Sequence, residues 1–286
     1  MPIAFALLSF FTWGFGLLFE AIAAKKINSY LFTFWAALLS FIILTALAPT
    51  FIGDLKGLTV SLLILNMVLA FFFHFGTIMY YEGIKAGAPA LVGTVASSFP
   101  GVIVLIALVF LGDKINTLQA ISILLVLLGI VLSSLNLNEL KKKKINLEKS
   151  VLFALAAMIS WGIYLGFVKI LVEKVGWFWP NYLTFGMFPL LFLFIKYKKM
   201  KIENPIRSGV FIPFITSIIL VRIAEFSYNY AIGRGSQSIV ASISGANPIL
   251  FVLLAFFVFK DKITKQQIAG IIVTLLGIVL LSILSV

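Results

Sequence analysis

The sequence predicts an all-α integral membrane protein with ten transmembrane helices, arranged as two inverted five-helix repeats. Two observations carry this prediction. The chain of 286 residues is 62% hydrophobic and only 11% charged, whereas soluble domains usually carry about 25% charged residues. Its second half also repeats its first half at a constant offset of 148 residues.

The repeat is visible in short identical motifs. Trp13 and Trp161 are each followed by glycine, and the segment LLGIVL at 127–132 recurs at 275–280. If each copy contains an odd number of spans, the second copy lies upside down in the membrane relative to the first. Inverted repeats of this kind are typical of solute transporters.

Ten segments are apolar enough and long enough to cross a bilayer, which takes about 20 helical residues. They are 2–22, 31–51, 58–82, 89–111, 117–136, 150–172, 178–196, 209–232, 237–259 and 265–285. We therefore divide the chain into a first repeat at 1–136, a charged linker at 137–149 and a second repeat at 150–286.

The fifth span of each repeat begins with a capping motif. Asn116 and Thr264 stand three residues before Gln119 and Gln267, which is the spacing of a reciprocal capping box. Asp113 comes just before the first of these helices, and we expect its charge to lie near that amino terminus, where an anion is favourable. Asp261 occupies the same position in the second repeat.

Prolines interrupt the fourth and ninth spans near their midpoints. Pro100 and Pro248 each lack a backbone N–H and each crowd the carbonyl of the residue four positions back. Ser97 and Asn247 lie beside them. A broken helix with polar neighbours at membrane depth is typical of a solute site. The alternative is that the small residues around each proline serve close helix packing.

Ionisable residues inside predicted spans point to the same region, because such residues usually face a cavity or a partner. Arg222, Glu225 and Asn229 share one face of the eighth span. The offset relates His74 to Arg222 and Tyr81 to Asn229, so the corresponding face is polar in both repeats. The alternative is an Arg222–Glu225 ion pair that only holds helices together.

These patterns predict one central binding space between the repeats. Its predicted substrate-binding residues are Trp13, His74, Tyr81, Ser97, Trp161, Arg222, Glu225, Asn229 and Asn247, with Pro100 and Pro248 as helix-break residues.

Several classes of protein are excluded by composition. The chain has no cysteine and a single histidine, which excludes disulfides, thiolate metal ligands and a histidine metal cluster. Without a catalytic triad or a phosphate-binding loop, we predict no enzymatic activity, no cofactor and no metal. The net charge of +12 reflects lysines in loops that set topology, so we expect no nucleic-acid partner.

The chain resembles the EamA-type branch of the drug/metabolite transporter superfamily. The resemblance rests on the tandem five-helix unit, the Thr/Ser-Trp-Gly motif of the first helix, the proline of the fourth helix, and the Asp-Lys…Gln…Leu-Gly-Ile-Val-Leu pattern at 113–132 and 261–280. Aspartate stands at 113 and 261, where such transporters often have glutamate. The resemblance implies a ten-helix basket whose central cavity is lined by helices one, three, four, six, eight and nine.

The resemblance also implies export or uptake of small metabolites by alternating access, and cytoplasmic termini. The lysine distribution favours the opposite orientation, because most loop lysines face away from the termini and positive loops stay inside.

We expect a secondary transporter of the plasma membrane that moves small organic metabolites, such as amino acids or related amphipathic solutes, in the export direction. A sugar or nucleoside-type uptake transporter is an alternative, as is a channel-like or scaffold membrane protein without transport. The expected partners are a small-molecule solute and the lipid bilayer, and the expected assembly is a monomer or homodimer. Proton coupling is open, with Glu20, Glu225 and His74 as the protonatable candidates inside the spans.

Overall fold

The structure is a computed structural model, which describes residues 1–24, 26–86, 92, 95–134, 147–202, 204–205, 209–259 and 264–284. Every regular element in these residues is helical, so the predicted all-α class is confirmed. A 3₁₀ helix at Ala48–Gly57 continues from the second α-helix. In chain order, the α-helices are α1 (Pro2–Ala24), α2 (Ser29–Leu47), α3 (Val60–Ala86), α4 (Phe99–Phe110), α5 (Thr117–Ser134), α6 (Leu147–Val175), α7 (Trp179–Phe185), α8 (Phe188–Tyr197), α9 (Phe211–Ile232), α10 (Gln237–Ser244), α11 (Pro248–Phe259) and α12 (Lys265–Leu284).

Six helical segments within the described residues are long and apolar enough to cross a membrane. They are Pro2–Glu20, Ser29–Gly57, Val60–Ala86, Lys149–Val175, Phe211–Ile232 and Lys265–Leu284. Phe99–Phe110 and Thr117–Ser133 are shorter apolar helices. Large apolar side chains such as Phe71, Leu105 and Val109 point outward and are exposed, as expected of a surface that faces lipid tails rather than water.

Three helix pairs make the most extensive contacts: α1 with α9, α3 with α6, and α5 with α12. Glycines allow these helices to approach closely. A Cβ atom on Gly16 of α1 would lie 2.9 Å from Val221 Cγ2 of α9, and one on Gly76 of α3 would lie 2.8 Å from Trp161 Cδ1 of α6. Small residues at such crossings allow the backbone-to-backbone proximity on which helix association in membranes depends.

Both mid-span prolines lie in the first turn of a helix that follows a break. Pro100 is in the first turn of α4, after a turn at 97–98. Pro248 is the first residue of α11, and a turn at 245–247 separates it from α10. In the first helical turn a proline removes no intrahelical hydrogen bond, so a new helix begins there.

A third break was not predicted from the sequence. The expected continuous helix at 178–196 is wrong, because Gly186 and Met187 separate α7 from α8. Pro189 lies in the first turn of α8. It has the same effect as Pro100 and Pro248, but it has no counterpart at the repeat offset that would have drawn attention to it.

The two predicted capping boxes are confirmed. Gln119 N donates to Asn116 Oδ1 at 2.9 Å, and Asn116 N donates to Gln119 Oε1 at 3.0 Å. Gln267 N donates to Thr264 Oγ1 at 3.2 Å, and Thr264 N donates to Gln267 Oε1 at 2.9 Å. Each motif satisfies two amide groups that a helix start leaves free.

The carboxylate of Asp113 caps α10, although its position in the sequence suggested the start of α5. Asp113 Oδ2 accepts hydrogen bonds from Ser238 N at 2.8 Å, Ser238 Oγ at 2.9 Å and Ser236 Oγ at 2.9 Å. Lys169 Nζ of α6 lies 3.6 Å from Asp113 Oδ1. The negative charge of Asp113 therefore does lie at a helix amino terminus, where an anion is favourable. The helix is α10, which Asp113 reaches by a tertiary contact. Asp261 lies outside the described residues.

Candidate functional site

A cavity of about 150 Å³ lies inside the helix bundle. Its described lining comes from α1, α2, α3, α4, α6, α7 and α9, together with the turns before α4 and α11. Aromatic side chains form much of the wall. They are Trp13, Phe32, Phe73, Tyr80, Phe99, Trp161, Tyr164 and Phe185.

Seven of the nine residues predicted to bind substrate line this cavity. They are Trp13, His74, Ser97, Trp161, Arg222, Glu225 and Asn247. They come from elements far apart in the chain, so the fold brings the polar faces and both helix breaks to one space. Tyr81 and Asn229 are not among the lining residues.

Arg222 and Glu225 form the charged centre of the cavity wall. Arg222 Nη1 lies 3.0 Å from Glu225 Oε2, with both side chains largely buried. The two atoms are close without hydrogen-bond alignment, and Nε, Nη1 and Oε2 have no hydrogen-bond partner. The guanidinium also lies over the Phe185 ring, 4.0 Å from its centroid, which is a favourable cation–π position. The two side chains carry opposite charges, but donors of the guanidinium and one carboxylate oxygen remain without a hydrogen bond.

Glu20 adds a second carboxylate to the cavity. It lies near the end of α1 and accepts a hydrogen bond from the Tyr81 hydroxyl through Oε1. Tyr81 itself is buried behind the wall, against Phe32 at a centroid distance of 5.5 Å. It therefore orients a lining carboxylate without reaching the space itself.

Asn229 lies one turn beyond Glu225 and supports the fold. Its Nδ2 donates to the carbonyl of Trp177 at 3.3 Å, and the residue is buried. This bond ties α9 to the segment between α6 and α7, away from the cavity wall.

His74 is held by a backbone contact. Its Nε2 lies 3.1 Å from the carbonyl oxygen of Thr184. Because a carbonyl only accepts, Nε2 carries the proton in this bond. The other ring nitrogen, Nδ1, is buried without a partner. A neutral ring satisfies this arrangement, and the bond joins α3 to α7.

Trp13 and Trp161, which are equivalent at the 148-residue offset, both line the cavity. The Trp13 ring lies 5.7 Å from the Tyr228 ring, and the Trp161 ring lies 5.2 Å from the Tyr80 ring. Trp161 Nε1 also donates to Thr77 Oγ1 at 3.4 Å. These contacts fix both indoles at the wall.

The break before α11 places buried polar side chains at and beside the cavity wall. Asn247 Nδ2 donates to the carbonyl of Ser244 at 3.0 Å, and Ser244 Oγ donates to the carbonyl of Ala6 at 3.1 Å. The break is thus closed by side-chain bonds within the protein, as backbone interruptions at membrane depth require.

The cavity lining from α2 and α7 was not predicted from the sequence. Thr33, Ala36 and Ala37 of α2 line the cavity, as does Phe185 of α7. The signal in α2 was a small-residue face at i, i+3 and i+4. Phe185 had no signal, because it is one of 29 phenylalanines. Among the described residues, no cluster of three or more histidine, aspartate or glutamate side chains could hold a metal ion.

Comparison with known proteins identifies the family. The model of the EamA-like transporter family matches residues 1–135 and again residues 148–283. An uncharacterized transporter of Archaeoglobus fulgidus is 21% identical over 287 aligned positions, covering 98% of this chain and 98% of that protein. An uncharacterized protein of Methanocaldococcus jannaschii is 30% identical over 138 residues, which is 48% of this chain and 98% of that protein.

A protein of known crystal structure has the same fold. It superposes with a TM-score of 0.78 at 18% identity, covering 99% of this chain and 98% of that one. The two family matches span nearly the whole chain, and apolar helices of membrane-crossing length run through it. The chain is therefore an integral membrane protein that belongs to the EamA-like transporter family.

Proposed function

We propose that the protein is a secondary transporter that exports small organic metabolites, amino acids or related amphipathic solutes, by alternating access. The cavity carries this proposal. Its wall combines eight aromatic side chains with Arg222, Glu225 and Glu20. The three charged residues lie on α1 and α9, which are long and apolar enough to cross a membrane. Charged groups at membrane depth are costly and mark solute pathways. An apolar wall with a few polar groups is how proteins bind small organic molecules.

We further propose ten transmembrane helices in two inverted repeats, 1–136 and 150–286, joined by the linker at 137–149. Pairs of contacts between the repeats support this arrangement, because shifting both residues of one contact by 148 positions gives the other contact. A Cβ on Gly14 would meet Leu250, and a Cβ on the equivalent Gly162 would meet Val102, which is the equivalent of Leu250. A two-fold axis relating the repeats produces this kind of exchange.

The tryptophan contacts exchange in the same way. Trp13 packs on Tyr228, and Trp161 packs on Tyr80. The offset converts the first pair into the second. The helix pairs α1–α9 and α3–α6 are related likewise, while α5–α12 would lie on the axis. All these relations support a cavity at the interface of the two repeats, where such transporters bind solute.

Alternating access then consists of rocking one repeat against the other around the cavity. The breaks at Pro100 and Pro248 lie beside the lining residues Ser97 and Asn247. Because the helix is interrupted at each of these points, the segment on one side of the break can tilt while the segment on the other side keeps its helical hydrogen bonds.

The same proposal includes the membrane location, the assembly and the partners of the protein. The protein lies in the plasma membrane as a monomer or homodimer, binds neither nucleic acid nor a cofactor, and catalyses no reaction. Protonation of Glu20, Glu225 or His74 would couple transport to a proton gradient.

The test is a ligand-stabilisation screen of the purified protein with amino acids, sugars and nucleosides, followed by proteoliposome counterflow of each solute that stabilises it. A bound solute raises the melting temperature by mass action. Stabilisation and counterflow by amino acids or related amphipathic solutes are expected. Counterflow of sugars or nucleosides alone would reassign the solute class. Absence of any stabilisation or flux would leave a scaffold or channel as the function.

A further inference from the structure

The charged side chains of the cavity do not balance. Among its described lining residues, Glu20 and Glu225 are carboxylates and Arg222 is the single guanidinium. His74 donates Nε2–H to a carbonyl, as a neutral ring does. The two phenols in the wall, Tyr80 and Tyr164, carry no charge near neutral pH. The described wall therefore has one more negative than positive charge when both carboxylates are ionised.

Arg222 is already paired. Its Nη1 lies 3.0 Å from Glu225 Oε2, and its guanidinium lies over the Phe185 ring. Glu225 is three residues further along the same helix, so the two side chains stay together when α9 moves. The Arg222–Glu225 pair is close to neutral as a unit, and among the described lining residues it leaves Glu20 as the carboxylate without an ion-pair partner of its own.

Glu20 has a hydrogen-bond donor but no ion-pair partner among the described residues. The Tyr81 hydroxyl donates to Oε1, and a neutral donor orients a carboxylate without cancelling its charge. A carboxylate taken out of water is unfavourable unless a cation accompanies it. The aromatic rings of Trp13 and Phe32 share the cavity wall with Glu20, and their faces attract cations rather than anions.

We propose that Glu20 binds the positively charged group of the solute, and that the cavity prefers organic cations with an apolar body. The inference rests on the proposed transport function and narrows its solute class. An amine supplies the one missing positive charge and places its apolar part against the rings. A zwitterion has no net charge, so the excess negative charge of the described cavity wall remains when it binds. An organic anion increases that excess negative charge.

Three related compounds test the charge preference on the wild-type protein. Phenethylamine, phenylalanine and hydrocinnamate share an apolar phenyl body. Phenethylamine is a cation, phenylalanine is a zwitterion and hydrocinnamate is an anion. Apparent Kd values from thermal-shift titrations are expected to be lowest for phenethylamine and highest for hydrocinnamate. The expected gap between amine and zwitterion is at least about tenfold, the scale of one hydrogen bond to a charged group.

The variant Glu20→Gln tests the assigned residue. Glutamine keeps the size of the side chain and an acceptor for Tyr81, so the bundle is expected to fold. Its Kd for phenethylamine is expected to rise about tenfold or more, with a smaller change for phenylalanine. Glu82→Gln is the matched control. Glu82 pairs with Lys85 at 3.0 Å and does not line the cavity, so amine binding should not change.

The outcomes separate the two proposals. Tighter binding of phenylalanine or hydrocinnamate than of phenethylamine by the wild type would overturn the charge preference and leave solute transport standing. Equal amine binding by Glu20→Gln and wild type would overturn the role of Glu20 alone. If Glu20→Gln does not fold, the wild-type order of the three compounds decides the proposal. Failure of all three compounds to bind, while another solute of the wider screen is transported, would overturn the organic-cation preference without touching transport.

Discussion

Gly129 of α5 lies directly against Thr274 of α12, with no space between the two helices for a side chain at the glycine. A Cβ at Gly129 would overlap the threonine side chain and lie 2.8 Å from the Gly270 carbonyl oxygen. The equivalent Gly277 is as closely packed, with Val126 Cγ2 at 2.8 Å from its Cβ position. The α5–α12 pair is therefore a glycine-mediated contact in which backbone meets backbone.

Gly129→Ala should destabilise the protein, while Gly101→Ala should not. The added methyl at 129 forces the helices apart, and overpacking of this kind costs about 1–3 kcal/mol. At Gly101 the nearest atom to a Cβ is 4.0 Å away, and alanine is the better helix former by about 0.5–1 kcal/mol. Thermal unfolding in detergent measures both. Equal melting temperatures for the two variants would contradict the close contact.

The double substitution of Arg222 and Glu225 by methionine should preserve the fold and abolish solute binding. Replacing a buried ion pair as a unit with apolar residues is often neutral, whereas removing one member costs about 3–5 kcal/mol. We therefore expect Glu225→Met alone to melt well below the double variant. Proteoliposome flux and solute-dependent stabilisation should be absent in the double variant. Full transport by it would show that the pair is purely structural.

Asp113→Ala should weaken the attachment of the loop before α5 to α10. The change removes three hydrogen bonds from Ser236 and Ser238 and removes the carboxylate that lies 3.6 Å from Lys169 Nζ. The loss of a capping side chain costs about 0.5–2 kcal/mol. Asp54→Ala is the control, because Asp54 is an exposed residue of the 3₁₀ helix. A matching loss of melting temperature in both variants would exclude a specific role for the Asp113 cap.

The lysine distribution predicts that the termini lie outside the cell. The chain has no cysteine, so single cysteines can be introduced without removing any. Lys26→Cys, in the loop after α1, should be protected from a membrane-impermeant maleimide added to intact cells. Asp54→Cys, in the 3₁₀ helix that follows α2, should react. Both native side chains are exposed. The reverse labelling pattern would place the termini in the cytoplasm.

The sequence alone determined the helical class, the membrane setting and seven of the residues that line the cavity. Its signals were local or periodic. Hydropathy identified apolar helices, and the capping boxes at Asn116 and Thr264 depended only on residues three positions apart. The repeat offset then singled out His74, Arg222 and the two tryptophans, because residues at equivalent positions of related units face equivalent surroundings.

Only the tertiary structure decided which partner each polar side chain meets. Asp113 caps α10 rather than the helix beside it in sequence, Tyr81 orients Glu20 from behind the wall, and Asn229 bonds the carbonyl of Trp177. Phe185 enters the cavity because α7 ends where Gly186 begins a turn. A helical pattern specifies which face is polar, but the hydrogen-bond and ion-pair partners of that face depend on distances between helices that are far apart in the chain.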